Sequence, residues 1–423
     1  PLLRNKHIPL TPFEGYAYNF DLAQKALCEH FAVHNLSGFG ISDMASAISS
    51  SGALLEYLKQ MNKMPMRHID KLAIYSDTDY VFISPAAHYG LEIEELFKTI
   101  DQTLTPLGKR KLKDWLYHPL KSKTGILERQ EAVELLKENP RIQQELSRLL
   151  KNTPDIEKNL YRIACGYATV KDLLGLRSVL CRLPEIREAC GVLAKTNPYF
   201  SIPDLPEIRK LLDEAINPEA PLSNPEGKII KQGYDKELDG LIDIQENALQ
   251  WLKGFQTQEI KRSGINSLKV GFTNVFGYYI EISNSNIKSV PQDYIRKQTL
   301  VNAERFITPA LKEFEEKMLN AEENLSKAEK LILDAIYEKL LENSKLLHIF
   351  SASIATLDSI YSLSILALSR GYVKPFINEN TALNIKDGRH PVVEKISPEP
   401  FIPNDTLLDC EENHLIILTG PNM

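Results

Sequence analysis

The longest regular pattern of apolar and polar positions lies in residues 310–347, which contain neither glycine nor proline. Apolar residues recur there at alternating spacings of three and four, at Leu311, Phe314, Met318, Ala321, Leu325, Ala328, Ile332 and Ala335. This is the a/d spacing of a heptad seam, and at 1.5 Å per residue the segment would form a helix about 57 Å long. Such a seam requires a partner, and residues 228–256, with apolar residues at approximate helical spacing, are the nearest candidate.

Between these two segments the pattern changes from helical to extended. Residues 267–283, SLKVGFTNVFGYYIEIS, are rich in β-branched and aromatic residues, with Gly271, Asn274 and Gly277 as turn or bulge candidates. Residues 295–306 return toward a helical pattern. The sequence therefore predicts two long antiparallel helices that are joined by a compact tip containing β-structure.

Shorter patterns fill the amino-terminal part of the chain. Residues 20–31 and 44–63 have helical spacing, with Asp21 and Ser42 available as N-caps. Residues 80–84, YVFIS, are typical of a short strand because of their β-branched and aromatic content.

Helical patterns punctuated by prolines then dominate from about residue 91 to 215. After Gly371, residues 382–394 and 414–420 are typical of strands in a new α/β domain. The expected fold class is multidomain and mainly α: a helical core with long antiparallel helices, an inserted small β-containing tip, and partial α/β domains at both ends.

Composition adds limits to this picture. The 423 residues are 43% hydrophobic and 25% charged, as in an ordinary soluble protein, and the length predicts roughly three domains. No uninterrupted apolar run reaches the ~18–20 residues of a membrane span, and no export signal is visible. The first residue is Pro1, which indicates that the chain begins inside a longer protein. Five scattered cysteines, never spaced as C-x-x-C, favour buried thiols in a reducing cytoplasm over a metal site.

Charge changes the picture at the predicted tip. The chain has a net charge of −6, whereas residues 261–307 carry seven basic and three acidic residues, a local charge of +4. An ordinary solvated face is one interpretation, but the reversed sign between two long helices favours binding to a polyanion. The candidate phosphate contacts are Lys288, Arg296, Lys297, Gln298, Thr299 and Asn302.

The carboxyl end, LIILTGPNM at residues 415–423, is typical of a buried strand that enters a glycine-opened phosphate loop. An ordinary strand-to-helix turn is the alternative. His390, in GRHP, has no candidate nucleophile or metal partner nearby in sequence, so a structural role is expected rather than a catalytic one.

Several stretches together resemble the MutS family of DNA mismatch repair proteins, most closely its bacterial mismatch-recognition branch. GRHPVVE, EPFIPND and LIILTGPNM occur in the order and spacing of the start of the family's ATPase domain. FGYYIEIS, followed by RKQTLVNAERFITPALKEFEEKML, is similar to its clamp and returning lever helix. TPLGKRKLKDWLYHPL and GFGISDMASAISSSGALLEYLKQ resemble its core and connector. The resemblance covers essentially all of the chain.

The resemblance implies a division into family domains. The expected domains are a partial connector (1–71), the first part of the core and lever (72–250), the DNA clamp (251–308), the second part of the core and lever (309–372) and the beginning of an ABC-type ATPase domain (373–423).

The resemblance also implies a nucleotide site. Gly420, Pro421, Asn422 and Met423 match the first four positions of the family's phosphate loop. Phe401 and Ile402 would lie against the adenine ring. The intact protein would use ATP and Mg²⁺ as a DNA-dependent ATPase. This chain holds neither the phosphate-loop lysine nor the Walker B carboxylate, so it is expected to bind no nucleotide productively and to show no ATPase activity; no catalytic or metal-binding residue is assigned.

The implied partners are double-stranded DNA, a second copy of the intact protein and a repair partner of the MutL type, in the nucleoid-associated cytoplasm and without a membrane. The family's mismatch-reading domain, with its Phe-x-Glu wedge, is not among these residues. Two alternatives stay open: a MutS relative acting in recombination, and a purely structural helical scaffold that binds no nucleic acid.

Overall fold

The computed structural model describes residues 12–33, 35–36, 39, 41, 43–61, 66, 69, 72, 79–223, 227–273 and 277–417. The chain is mainly helical and divides into two compact units, residues 1–209 with 340–423, and residues 210–339.

The α-helices are α1 Phe20–His30, α2 Ala45–Met61, α3 Pro85–Gly90, α4 Ile93–Ile100, α5 Pro106–Tyr117, α6 Lys123–Lys137, α7 Pro140–Leu150, α8 Ile156–Ala164, α9 Val170–Cys190, α10 Pro206–Ala215, α11 Lys236–Ser263, α12 Pro309–Glu342, α13 Ser344–Arg370 and α14 Pro391–Ile396. The β-strands are β1 Lys269–Thr273, β2 Gly277–Ser283, β3 Ile295–Thr299, β4 Ala303–Ile307, β5 Leu383–Gly388 and β6 Asn404–Leu408.

Helices α1 and α2 confirm the two amino-terminal helices predicted from the sequence, and they pack around Leu27 and Ile48. The predicted N-cap Asp21 is wrong. The side chain of Asn19 accepts hydrogen bonds from the backbone N–H groups of Asp21 at 3.0 Å and Leu22 at 3.2 Å. Asn19 therefore caps α1, and Asp21 lies in the first turn, where its charge favours the helix dipole. Ser42 lies outside the described residues.

Helix α13 is the central helix of the first unit and contacts α5 and α6. Among the residues that the structure describes, it is the one helix long and apolar enough to cross a membrane, and 67% of its most apolar stretch is buried. That burial is typical of the core helix of a soluble protein.

The start of α5 is held to α13 by a buried carboxylate. Asp358 accepts hydrogen bonds from the backbone N–H of Leu104 at 2.9 Å, and from the backbone N–H and hydroxyl of Thr105 at 2.8 and 2.7 Å. Gly108, one turn into α5, lies so close to this carboxylate that a Cβ atom would overlap it. The two helices therefore pack closely at Gly108. The Asp358 carboxylate of α13 accepts hydrogen bonds from the residues that begin α5.

The strand predicted at 80–84 does not form. Tyr80 makes an isolated antiparallel bridge with Leu120, and only the neighbouring backbone groups of Asp79 and Val81 bond to the same segment. Ser84 then caps α3, because its hydroxyl accepts the Ala87 N–H at 3.1 Å. The early helix start leaves too few residues for a paired strand.

In the second unit, α11 and α12 are neighbouring antiparallel helices. Trp251 of α11 stacks on Phe314 near the start of α12, with 4.0 Å between ring centroids and 3° between ring planes. Leu241, earlier in α11, shares a cleft with Leu331, later in α12. The 34 residues of α12 are unbroken, which confirms the long helix, although it ends at Glu342 and the last residues of the predicted segment belong to α13.

The buried face of α12 follows the predicted seam only part of the way. The seam residues from Leu311 to Leu325 are buried, whereas Ala328 is half-buried and Ala335 is exposed. Glu329 and Ile336, each one position later, are buried instead. A straight α-helix has 3.6 residues per turn and drifts by ~20° per heptad relative to a 3.5-residue repeat, so the seam moves by one residue along this length.

Four antiparallel strands form the tip of the second unit, in the order β1-β2-β4-β3. The prediction that residues 295–306 return to helix is wrong, because they form β3, a turn and the start of β4. Glu304 and Phe306 are buried, whereas Ala303 and Arg305 are partly exposed, which is the period of a strand. Pairing with β2 thus overrides the helix-forming tendency of the Lys, Gln, Ala and Glu residues.

Glycine serves two different purposes in this sheet. Gly277 opens β2 with a φ of +70°, in the left-handed region that other residues rarely adopt. Gly271 pairs in unbroken register with Tyr279, and a Cβ atom there would lie 2.7 Å from the Tyr279 hydroxyl. Asn274, the third predicted turn residue, lies outside the described residues.

The segment after α13 holds a two-stranded sheet of β5 and β6. Strand β5 confirms extended structure after residue 382, but the end of the predicted strand 382–394 is helix α14. Residues 414–417 are not in a strand, and 418–423 lie outside the described residues.

Candidate nucleic-acid interface

The six candidate phosphate contacts all lie on one side of the tip sequence, at its turns and its edge strand. Lys288 lies in the last turn of a short 3-10 helix after β2. Arg296, Lys297, Gln298 and Thr299 belong to β3, and Asn302 lies in the turn between β3 and β4. Gln298 is half-buried and the other five are exposed. The structure therefore brings five of the six onto the β3–β4 hairpin.

Strand β3 is the edge of the sheet and contains an irregularity at Lys297. Arg296 pairs with Phe306 and Gln298 pairs with Arg305, so two steps along β3 match one step along β4. Lys297 is the extra residue of this bulge. Bulges at sheet edges redirect a side chain and interrupt the ladder, which here leaves a lysine at the outer edge.

The acidic residues of the tip form ion pairs with its arginines. Three ion pairs account for them: Arg262–Asp293 at 2.9 Å, Arg296–Glu304 at 3.3 Å and Arg305–Glu281 at 3.1 Å. The positive charge in excess thus belongs to four exposed lysines, Lys261, Lys269, Lys288 and Lys297. Among the described residues, the first three form no ion pair.

Two candidate residues have local structural partners. The guanidinium of Arg296 is 62% exposed but lies against the buried Glu304, which offsets part of its charge. The side-chain oxygen of Gln298 accepts a hydrogen bond from Arg305 at 3.0 Å, and Arg305 in turn lies over the Tyr279 ring at 4.1 Å. Gln298 therefore stabilises the position of Arg305 on the sheet surface. The exposed lysines of the tip are better placed than Gln298 to contact phosphate.

The hairpin turn that carries Asn302 is stabilised by hydrogen bonds from Asn284. The backbone N–H of Asn284 donates to the Asn302 carbonyl at 3.1 Å, and the Asn284 side chain donates to the Val301 carbonyl at 3.0 Å. Val301, at the apex, is 92% exposed. The two hydrogen bonds from Asn284 therefore hold the turn that carries Asn302.

A network at the base of the sheet was not predicted from the sequence. Buried Glu259 accepts hydrogen bonds from the Tyr294 hydroxyl at 2.6 Å and from Arg262 at 2.7 Å. Burial, reinforced by the Glu259 carboxylate, raises the pKa of Tyr294 well above its usual range. The network ties the last turn of α11 to the residue preceding β3. Only the Glu259–Arg262 spacing of three was a visible signal.

The proposed nucleotide contacts are only partly within the described structure. Phe401 is half-buried and Ile402 is 79% exposed, immediately before β6. Gly420, Pro421, Asn422 and Met423 lie outside the described residues. His390 is the N-cap of α14, and its Nδ1 accepts the backbone N–H of Val393 at 3.3 Å, which agrees with a structural role.

Side chains suited to metal or redox chemistry are dispersed. Within the described ranges, no group of three or more His, Cys, Asp or Glu side chains has the geometry of a metal site. All five cysteines are described and none is in a disulfide. Cys190 is buried but Cys410 is exposed, so the prediction of buried thiols is wrong for Cys410.

Comparison with known proteins matches these features to one family. A family model described as MutS domain III matches residues 71–364, and one described as MutS domain II matches residues 1–70. The DNA mismatch repair protein MutS of Halothermothrix orenii is 40% identical over 97% of this chain and 48% of its own length. The proteins of that name from Symbiobacterium thermophilum and Methanosarcina acetivorans are each 38% identical, over 100% and 99% of this chain and 50% and 48% of their own lengths.

The chain thus spans about half the length of the curated relatives it matches. Matches to two consecutive domain models, together with identity along nearly the whole chain, leave one conclusion about its origin. The chain belongs to the MutS family.

Proposed function

We propose that this chain is the DNA-engaging half of a DNA mismatch repair protein, and that the tip of its second unit binds the phosphate backbone of double-stranded DNA. The observation that carries the proposal is the charge arrangement of the tip. Its acidic residues are paired with arginines, and exposed lysines make up the excess charge. Lysine neutralises phosphate as a compact point charge.

Binding of this kind positions a protein on DNA without reading bases. The candidate contacts are lysines, an arginine, an amide and a hydroxyl, which are the groups that fix register on the backbone. They lie on the β3–β4 hairpin and a neighbouring turn. In this proposal the long helices α11 and α12 act as lever arms and the four-stranded sheet acts as the clamp.

The complete protein is proposed to use ATP with Mg²⁺, to act as a homodimer and to work with a partner of the MutL type. Exposed Ile402 beside half-buried Phe401 offers an apolar surface that an adenine ring could cover. This apolar surface supports the proposal of a nucleotide site. The Mg²⁺, the homodimer and the partner of the MutL type are proposed from the resemblance to the family. ATP and Mg²⁺ would contribute phosphoryl-transfer chemistry in the complete protein.

Both alternatives are less well supported. A purely structural scaffold gives no reason for the exposed lysines Lys261, Lys269 and Lys288, which form no ion pair among the described residues, at the tip of an acidic chain. The three relatives described above are named as DNA mismatch repair proteins, which favours repair over recombination.

The test is a salt titration of duplex binding by the chain and a tip variant, Lys288→Gln with Lys297→Gln. If each lysine neutralises one phosphate, the slope of log affinity against log salt should flatten by about 1.8. Lys312→Gln with Lys317→Gln is the matched control, because both lysines are already paired with glutamates on α12. An unchanged slope in the tip variant would remove the hairpin from the DNA surface.

A further inference from the structure

The outer face of the last turns of α11 is basic and contains no acidic side chain. Between residues 250 and 263 the one acidic residue is Glu259, which is 6% exposed and turned toward Tyr294 and Arg262. The exposed residues that line a shallow depression along this face are Lys253, Gly254, Thr257, Gln258 and Lys261. Lys261 belongs to the basic segment 261–307, but none of the five is among the candidate phosphate contacts predicted from the sequence.

The lysines of this face differ from those of the neighbouring helix. On α12, Lys317 pairs with Glu313 at 2.9 Å and Lys327 pairs with Glu323 at 2.6 Å, each four residues away. Such spacing is how exposed helices usually balance their charges. Lys253 and Lys261 form no ion pair among the described residues, and between residues 250 and 263 no carboxylate lies on their face of the helix. Their charge is therefore fully available to an external anion.

Gly254, in the middle of the face, has no packing explanation. A Cβ atom there would meet nothing within 4 Å, although glycine weakens a helix interior more than any residue except proline. Its absent side chain exposes the helix backbone between Lys253 and Gln258. A glycine in such a place is typical of close approach by a ligand.

We propose that this face, residues 253–261 of α11, is a second phosphate-binding surface that engages the DNA backbone beside the hairpin. Lys253 and Lys261 are eight residues apart, about 12 Å along the helix. Each strand of B-DNA carries one charge per ~3.4 Å of axis, so the two lysines reach different phosphates. Gln258 supplies an amide donor between them. The proposal rests on DNA binding by the tip and extends it along the helix.

The test uses a helix-face double variant, Lys253→Gln together with Lys261→Gln, in the full chain and with a matched 20-base-pair duplex. It is compared with the tip double variant, Lys288→Gln with Lys297→Gln, and with the paired-lysine control. The helix-face variant should flatten the salt slope by about 1.8. The paired-lysine control, Lys312→Gln with Lys317→Gln, should retain the wild-type slope. Circular dichroism should show unchanged helix content, because both substituted side chains are exposed.

The outcomes separate this inference from the proposed function. A flattened slope in the tip variant with an unchanged slope in the helix-face variant overturns the helix face and leaves DNA binding by the tip intact. Unchanged slopes in both variants overturn both. As an independent readout, DNA should protect Lys253 and Lys261 from acetylation at least as well as Lys288. Equal labelling of Lys253 and Lys261 with and without DNA would contradict the proposal.

Discussion

The carboxylate of Asp358 shows how much a single residue contributes in the first unit. Its hydrogen-bond donors, Leu104 and Thr105, precede it by 254 and 253 positions. Burial raises its pKa to about 6, although these donors favour the charged form. No local pattern could have predicted this contact, since Asp358 is the one acidic residue of α13 and its partners belong to another element.

Asp358 should make the stability of the first unit depend on pH. Its pKa in the folded state, about 6, lies above its ordinary value of 3.8. The protonated form therefore stabilises the fold fully below about pH 4, and this contribution is lost as the pH rises through about 6. Asp358→Asn cannot titrate, so it should lower the free energy of unfolding by about 1–3 kcal/mol at pH 4 and by less at pH 7.

Thermal unfolding followed by circular dichroism between pH 4 and pH 7 measures this difference. Asp21→Asn, at an exposed position in the first turn of α1, is the control and should cost no more than about 1 kcal/mol, from the loss of its charge near the helix N-terminus. A wild-type advantage over Asp358→Asn that stays constant with pH would show that the carboxyl does not titrate in this range.

At the scale of elements, α12 stabilises a loop through Glu329. This buried carboxylate accepts the backbone N–H groups of Gly227 at 2.7 Å and Ile229 at 2.9 Å. Gly227 has a φ of +71°, and a Cβ atom there would lie 2.5 Å from Leu325 of α12. The predicted apolar seam passed through Ala328, so the drift of the helix face brings a charged residue into the position of contact.

Replacing Glu329 should release this loop. Glu329→Ala leaves two or more buried N–H groups without an acceptor, at a cost of about 2–4 kcal/mol in the free energy of unfolding of the second unit. Hydrogen exchange should accelerate at residues 227–230. Glu322→Ala, at an exposed position of the same helix, provides the comparison. Equal exchange rates in the two variants would mean that other contacts hold the loop.

Elements were predicted well where one pattern extended over many residues. The long helix from residue 309 and the strands after 267 follow from apolar spacing and β-branched content. Residues 295–306 were missed because their side chains favour helix while their pairing with β2 and β4 requires strand. The pairing of β4 with β2 joins residues at least 20 positions apart, which a local window does not include.

For the whole molecule, the sequence was enough to predict where the excess positive charge lies. It was not enough to predict which residues carry that charge. Counting charges located the basic tip, but only the folded pairing of Arg296 with Glu304 shows that lysines carry the excess. The basic face of α11 went unnoticed, because its acidic neighbour Glu259 is hidden by folding rather than absent from the sequence.

The whole chain should bind matched and mismatched duplexes alike. Its candidate contacts are groups suited to phosphate, so affinities for a matched and a G·T-containing duplex should agree within about twofold. Competition binding at fixed salt measures the ratio. A clear preference for the mismatch would locate base recognition within these 423 residues.

The stacking of Trp251 on Phe314 has an optical consequence. The chain contains two tryptophans, and the other, Trp115, lies in the first unit with the Arg129 guanidinium 3.7 Å from its ring. Each unit therefore carries its own intrinsic fluorophore in a distinct environment. Replacing either tryptophan with phenylalanine leaves tryptophan emission that reports on one unit alone, so the separation of α11 from α12 can be followed in solution without any attached dye.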